Sequence, residues 1–382
     1  MLLKPGIHRA VLRILASLIC LASGIAAAAE ILIAQVAPLS GPLAPTGNAM
    51  RIGALVCFEA VNAAGGIRGS KIRLASRDDG YKAEETVRLA RATLAESRPL
   101  AFFGIVGTGN LDALIKENVL GEAGIPAIGL RSGASGLVRP ENTLLFFTRA
   151  SYAEEVDRIV SHLSKTGQKR IAAFYQDDAF GADGLAAIDE SAKRHTLEII
   201  ARASYPKNTT KVEASVKTLG ASTAQVIVMV ANTAASAEFL KQYRAGGGTA
   251  QLFALSPTEG TQVAEAVGAQ TAHGFAVSQV VPDPLNRGVP IVREFQDDFQ
   301  RHAPAGSQSS ATVLEGYVAA RVLVEALRRA GAEPTRAKLV ASLQALRNVD
   351  IGGMIIGFDS RSRSGSRYVD IAILGRDGKL LR

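Results

Sequence analysis

Residues 156–175 read VDRIVSHLSKTGQKRIAAFY. Val156, Ile159, Val160 and Leu163 recur at helical spacing, and the apolar run 171–175 behind Gly167 has the length of a buried strand. A helix feeding a short apolar strand is the unit from which helix-covered parallel sheets are built. The same alternation extends in both directions. C-terminally come a helix at 184–195, strands at 197–203 and 226–230, and a helix stopped by Gly246-Gly247-Gly248. N-terminally, strands are expected at 31–37, 72–76, 100–106 and 125–130, with Val87, Ala90 and Leu94 marking one helical face. Two sets of βα units imply an α/β protein with two parallel-sheet lobes.

From Phe275 the pattern changes. A strand is expected at 275–281, broken by Pro282-Asp283-Pro284, and then a long helix with Tyr317, Ala320, Val324 and Leu327 on one face. Two further strands, 353–358 and 368–374, flank the polar loop 359–367, which carries Arg361, Arg363 and Arg367. A charged loop of this kind reads as a solvated hairpin connection; the competing reading is a docking patch for a membrane partner.

The 382 residues, 47% hydrophobic and 20% charged, exclude a disulfide-stapled miniprotein and a disordered acidic tail, and suffice for two cores. Lys4, Arg9 and Arg13 precede an uncharged stretch, 14–29, that ends in four alanines. This is the pattern of a secretory signal peptide over 1–29, and the stretch is shorter than the ~20 residues of a membrane span, the rival anchor-helix reading. Cys20 has a poor lipobox before it, and Arg9 and Arg13 are not a twin-arginine pair. Removal of 1–29 lowers the formal charge from +8 to +5, which weakens a nucleic-acid reading, and leaves Cys57 as the remaining cysteine, expected buried in a helix. The expected product is exported and periplasmic.

Catalytic patterns are missing. Beyond the leader, His162, His195, His273 and His302 form neither HExxH nor a zinc-like spacing. There is no G-x-S-x-G elbow and no P-loop. Gly104-Ile105-Val106-Gly107-Thr108-Gly109 could cradle a phosphate after a strand, but it departs from G-x-G-x-x-G. Asp78-Asp79 reads as a helix-entry cap rather than a metal pair. No catalytic residue, metal site or cofactor is expected. Thr108, Ser132 and Gly133, by contrast, lie just past strand C-termini, where open α/β sheets hold ligands. Convergent N–H and O–H donors there suit a carboxylate, although Gly, Ser and Thr are also ordinary turn residues.

Several segments, in order and spacing, resemble the leucine/isoleucine/valine-binding (type I periplasmic binding protein) family of ABC-transporter solute receptors. They are Pro38-Leu39-Ser40-Gly41-Pro42, Asn62-Ala63-Ala64-Gly65-Gly66-Ile67, Arg77-Asp78-Asp79-Gly80, Gly121-Glu122-Ala123-Gly124-Ile125-Pro126 and Phe174-Tyr175-Gln176-Asp177-Asp178-Ala179-Phe180-Gly181. The resemblance implies two doubly wound parallel-sheet lobes joined by a three-strand hinge, with crossings near 148–150, 278–280 and 369–371. Lobe 1 would comprise 30–149 plus 280–370, and lobe 2 would comprise 150–279 plus 371–382.

Matched by position, Gly107, Thr108, Ser132 and Gly133 would grip a solute carboxylate, and Tyr152, Phe180 and Asn232 would form the facing wall. Ser256 and Glu259 would lie in the loop that presents an acid to an α-ammonium; the alternative for Glu259 is a surface helix cap. Arg131, facing the cleft, would favour a second anionic group; facing outward, it has no bearing. The implied function is a non-enzymatic, monomeric receptor for an amino acid or related small carboxylate. It would deliver that solute to an inner-membrane ABC permease, or, alternatively, report it to a signalling partner. No nucleic-acid partner is implied.

Overall fold

A computed structural model describes residues 30–359 and 361–382. The export leader expected over 1–29 lies outside them. The first sheet holds β1 (Glu30–Ala37), β2 (Lys71–Asp78), β3 (Ala101–Phe103), β4 (Ala127–Ile128) and β5 (Leu145–Phe146), all parallel, in the order β2-β1-β3-β4-β5. The second is built on β6 (Arg170–Asp177), β7 (Glu198–Pro206), β8 (Val226–Val230), β9 (Gln251–Ala254) and β10 (Ala276–Gln279), again parallel. A separate antiparallel pair joins β11 (Val349–Asp350) to β12 (Ile355–Ile356). The chain then returns to the second sheet as β13 (Asp370–Leu374) and β14 (Leu380–Leu381), both antiparallel, giving the order β14-β13-β10-β9-β8-β6-β7.

Both cores follow from the sequence pattern. All five side chains of β8, VIVMV, are buried, as a strand covered on both faces requires. Helix Tyr152–Lys165 buries Val156, Ile159, Val160 and Leu163. It opens on a reciprocal capping box between Ser151 and Glu154, with Ser151 Oγ accepting from the Glu154 amide at 3.2 Å. Helix Ala179–His195 starts five residues before its expected position, because Asp178 caps it by accepting from the amides of Phe180 and Gly181.

In the first lobe the helices Ala44–Ala63 and Ala311–Arg329 cross at unusually close range. A Cβ on Gly53 would stand 2.0 Å from the Val313 carbonyl oxygen, and one on Gly316 would stand 2.5 Å from that of Met50. The obstacles are backbone atoms, so the helices would have to separate. Gly53→Ala is expected to cost about 1–3 kcal/mol by overpacking, read from the urea midpoint; an unchanged midpoint would contradict this contact. Cys57, on the same helix, is buried and free, as its apolar surroundings suggested, and burial pushes its thiol pKa up.

Two expectations need correction. The segments 353–358 and 368–374 are not partners in one hairpin: β12 pairs with β11, while β13 pairs with β10 and β14. The arginine-bearing stretch between them lies along the edge of the first sheet, bridging Phe147 to Ser364. Arg363 is buried and donates to the Pro140 carbonyl at 3.1 Å. An otherwise open strand edge is thereby covered. Arg361 and Arg367 remain exposed.

The expected strands 100–106 and 125–130 are also shorter than their apolar runs. Gly104 and Gly129 adopt left-handed conformations that interrupt both, and pairing resumes at a bridge between Val106 and Arg131. That bridge sets Gly107-Thr108 beside Arg131-Ser132.

Candidate functional site

The two sheets turn their strand C-termini towards each other. Gly107, with φ +105, stands before helix Thr108–Lys116, and no side chain caps that helix. Only glycine fits there, since a Cβ would meet the Tyr81 ring at 2.5 Å. The first-turn amides therefore carry the positive end of the helix dipole uncapped. Next to them Thr108 Oγ1 and Ser132 Oγ share a hydrogen bond of 2.8 Å. Two hydroxyls joined in this way use one proton between them and leave one to donate elsewhere.

Six of the ten residues singled out from sequence line one narrow pocket, a cavity of about 30 Å³: Gly107, Thr108, Arg131, Tyr152, Phe180 and Asn232. Leu43, Thr46, Tyr81, Val106, Gln176 and Pro257 complete it. The Tyr152 and Phe180 rings pack at 5.1 Å between centroids. Burial pushes the Tyr152 phenol up to about 12 and holds that of Tyr81 well above its ordinary value, so both keep their protons near neutrality. Ser132 and Gly133 lie immediately behind: Ser132 through its bond to Thr108, Gly133 through its carbonyl, which accepts from the Tyr152 amide at 2.8 Å.

The remaining two are placed differently. Ser256 belongs to a buried ionic network: its amide donates to Glu155 Oε2 at 2.8 Å, and Arg149 donates to its hydroxyl. Glu259 faces Thr312, accepting from its amide at 3.1 Å and its hydroxyl at 2.9 Å. It lines a separate small cavity, where its Oε2 holds the start of helix Ala311–Arg329. Arg131 faces inward, and its guanidinium is taken by Glu315, the Ser256 carbonyl at 2.9 Å and Thr312 Oγ1 at 3.2 Å. Its Nε is buried without a partner.

Tyr81 and Gln176 carry no family-independent signature and were not singled out from sequence. Yet Gln176 Nε2 donates across the cleft to the Tyr81 hydroxyl at 3.3 Å. Asn232 caps helix Thr233–Ala245 and donates to Gln176 Oε1 at 3.2 Å and to the Tyr205 hydroxyl at 3.1 Å. The lobes also meet at the rim. Asn208 donates to the Gly80 carbonyl at 3.1 Å, and the Lys207 ammonium sits 4.3 Å from the Tyr81 ring centroid.

A second rim contact has a pH signature. The Ser135 amide donates to Asp183 Oδ1 at 2.8 Å, while Oδ2 is buried without a partner. Burial, with a smaller contribution from nearby Asp112, holds the Asp183 carboxyl above its ordinary range. A raised folded-state pKa means that the folded protein binds this proton more tightly. Its contribution is therefore present at low pH and lost as pH rises through the folded value. Asp183→Asn keeps the acceptor oxygen and supplies the neutral form at every pH. It is expected to melt above the wild type at pH 7, with the gap closing below the unfolded carboxylate pKa of about 3.9. A variant no more stable at pH 7 would contradict this burial cost.

Two facing lobes, each delivering strand ends to a shared cleft, set the frame for comparison with known proteins. A family model described as periplasmic binding protein matches residues 30–379. The chain belongs to this family. Among its relatives, the Leu/Ile/Val-binding protein homolog 7 of Brucella suis biovar 1 is 26% identical over 94% of this chain and 93% of that protein. The crystal structure of a substrate-binding periplasmic protein from Ralstonia solanacearum superposes with a TM-score of 0.88 at 38% identity, covering 92% of this chain and 99% of that one. An extracellular ligand-binding receptor from Verminephrobacter eiseniae gives 0.85 at 29% identity, covering 93% and 100%. The two-lobed fold is thus that of type I periplasmic binding proteins, and the relatives are binding proteins.

The periplasmic binding protein fold explains why the site's residues are scattered in sequence. They come from several loops that follow strand C-termini, and the Val106–Arg131 bridge and the lobe-to-lobe contacts bring them together. Among the described residues, no cluster of His, Cys, Asp and Glu could hold a metal ion.

Proposed function

We propose that the protein is a periplasmic receptor that captures a small carboxylate-bearing solute between its lobes and delivers it to an inner-membrane ABC permease. The observation that carries this reading is the uncapped start of helix Thr108–Lys116, set beside the Thr108–Ser132 hydroxyl pair in a pocket closed by Tyr152 and Phe180. Amides and hydroxyls aimed at one point hold an anion, and each charge-assisted hydrogen bond contributes about 1.5–3 kcal/mol. The cleft walls come from both lobes, so a bound solute favours the form in which the lobes meet, and a permease can recognise that form. The kinship with Leu/Ile/Val-binding homologues supports a solute of amino-acid size.

The test is calorimetric titration of the purified protein with branched-chain and aromatic amino acids, their deaminated acids and small amides. At least one carboxylate is expected to bind and, at 100 times its Kd, to stabilise the fold by about 2.7 kcal/mol. Deleting the gene is expected to abolish uptake of that solute. A panel without heat or melting shift contradicts the reading.

A further inference from the structure

We infer that the cleft selects a carboxylate without an α-ammonium group, a compact monocarboxylic acid with an apolar or aromatic body. The inference rests on the carboxylate-receptor reading above and names the ligand class of that same site.

An α-ammonium entering a cleft loses its hydration and needs hydrogen-bond acceptors, best of all a carboxylate. No carboxylate lines the main pocket, and the acids nearest it spend carboxylate oxygens on protein donors. Glu155 accepts from Arg149 at 2.5 Å, from the Ser256 amide at 2.8 Å and from Ser278 Oγ at 2.5 Å. Glu315 pairs with Arg131 and with Arg149. Glu259 holds the amide and hydroxyl of Thr312. Asp178 caps helix Ala179–His195 with one oxygen and accepts from Gln176 Nε2 at 2.8 Å with the other. None of the four lines the main pocket.

The amide acceptors are engaged as well. Gln176 Oε1 takes the Tyr205 hydroxyl at 2.9 Å and Asn232 Nδ2 at 3.2 Å, and Asn232 Oδ1 takes the Ala235 amide at 3.1 Å. What the lining offers instead is donors. Tyr81 accepts from Gln176, so its own proton is available to a ligand. Thr46, Thr108 and Tyr152 add hydroxyls. These hydroxyls and the uncapped helix start are separate features of one pocket, and both suit negative charge. Leu43, Val106, Phe180 and Pro257 supply the walls for an uncharged body.

Matched skeletons test this directly. Leucine against 4-methylpentanoate, and phenylalanine against 3-phenylpropanoate, differ only in the ammonium. Titrated calorimetrically into the full purified protein at pH 7, the deaminated member of at least one pair is expected to bind at least 100-fold more tightly. 3-Methylbutylamine, an ammonium without a carboxylate, is expected not to bind. An amino acid that binds as tightly as its deaminated partner, or more tightly, overturns the inference and leaves the receptor reading standing. If no carboxylate of either kind binds, the receptor reading falls and takes the inference with it.

Discussion

Arg149→Met is expected to lower the unfolding free energy by about 3–5 kcal/mol, the range for removing one partner of a buried ion pair. Arg149 is 1% exposed and lies between β5 and helix Tyr152–Lys165, where the chain passes from one sheet to the other. Its guanidinium binds Glu155 Oε1 at 2.5 Å from the second lobe and Glu315 Oε1 at 3.4 Å from the first. Burial disfavours its charge, but Glu315 and Glu155 outweigh that effect, and its pKa is raised. Methionine fills much of the same volume and carries no charge, so the two carboxylates remain buried with only Arg131 as a cationic partner. The network joins both lobes close to the crossings, and its loss is also expected to loosen their mutual orientation. Urea unfolding measures the effect. A loss below about 1 kcal/mol, the range of exposed pairs, would mean that the network is solvated in solution.

Thr108→Val should act on binding rather than on the fold. Valine matches the shape of threonine and removes the hydroxyl that bonds Ser132 at 2.8 Å. Ser132 Oγ keeps the Ala134 amide at 3.3 Å, and one hydroxyl pair is lost, so the stability cost is expected to stay near the ~1 kcal/mol of an ordinary hydrogen bond. For the ligand, one charge-assisted bond is lost, about 1.5–3 kcal/mol, a fall in affinity of roughly tenfold to a hundredfold. Calorimetry on the variant separates the two effects. Unchanged affinity with unchanged melting would remove Thr108 from the anion site.

The reading of the sequence reached furthest where periodicity and strand length agree. The run 226–230 is a strand over its full expected span, and the stripe from Val156 to Leu163 is the buried face of one helix. It fell short where a few backbone angles decide the outcome. Gly104 and Gly129 cut apolar runs into short strands, and no pattern in hydrophobicity marks a left-handed turn in advance. β5 and β14 span two residues each, too few for any period to register. The tail strands were legible as strands, but their partners were not, because pairing depends on contacts far away in sequence.

The site divides in the same way. Thr108, Ser132 and their glycines follow strand ends, a position that sequence reveals. The occupation of Glu259 by Thr312, of Arg131 by Glu315, and of Gln176 by Tyr205 involves residues 29 to 184 positions apart. Charge and hydroxyl content alone could not say which groups remain free to meet a ligand. That difference is what narrows the expected ligand, an amino acid or related small carboxylate, to the ammonium-free carboxylate inferred above.

The most direct test is a crystal structure of the protein with its tightest-binding carboxylate. The ligand carboxylate is expected within hydrogen-bond distance of the Thr108 hydroxyl and the first amides of helix Thr108–Lys116, with its body between Tyr152 and Phe180. A carboxylate bound away from that helix start, or a ligand held outside the cleft between the lobes, would contradict the account.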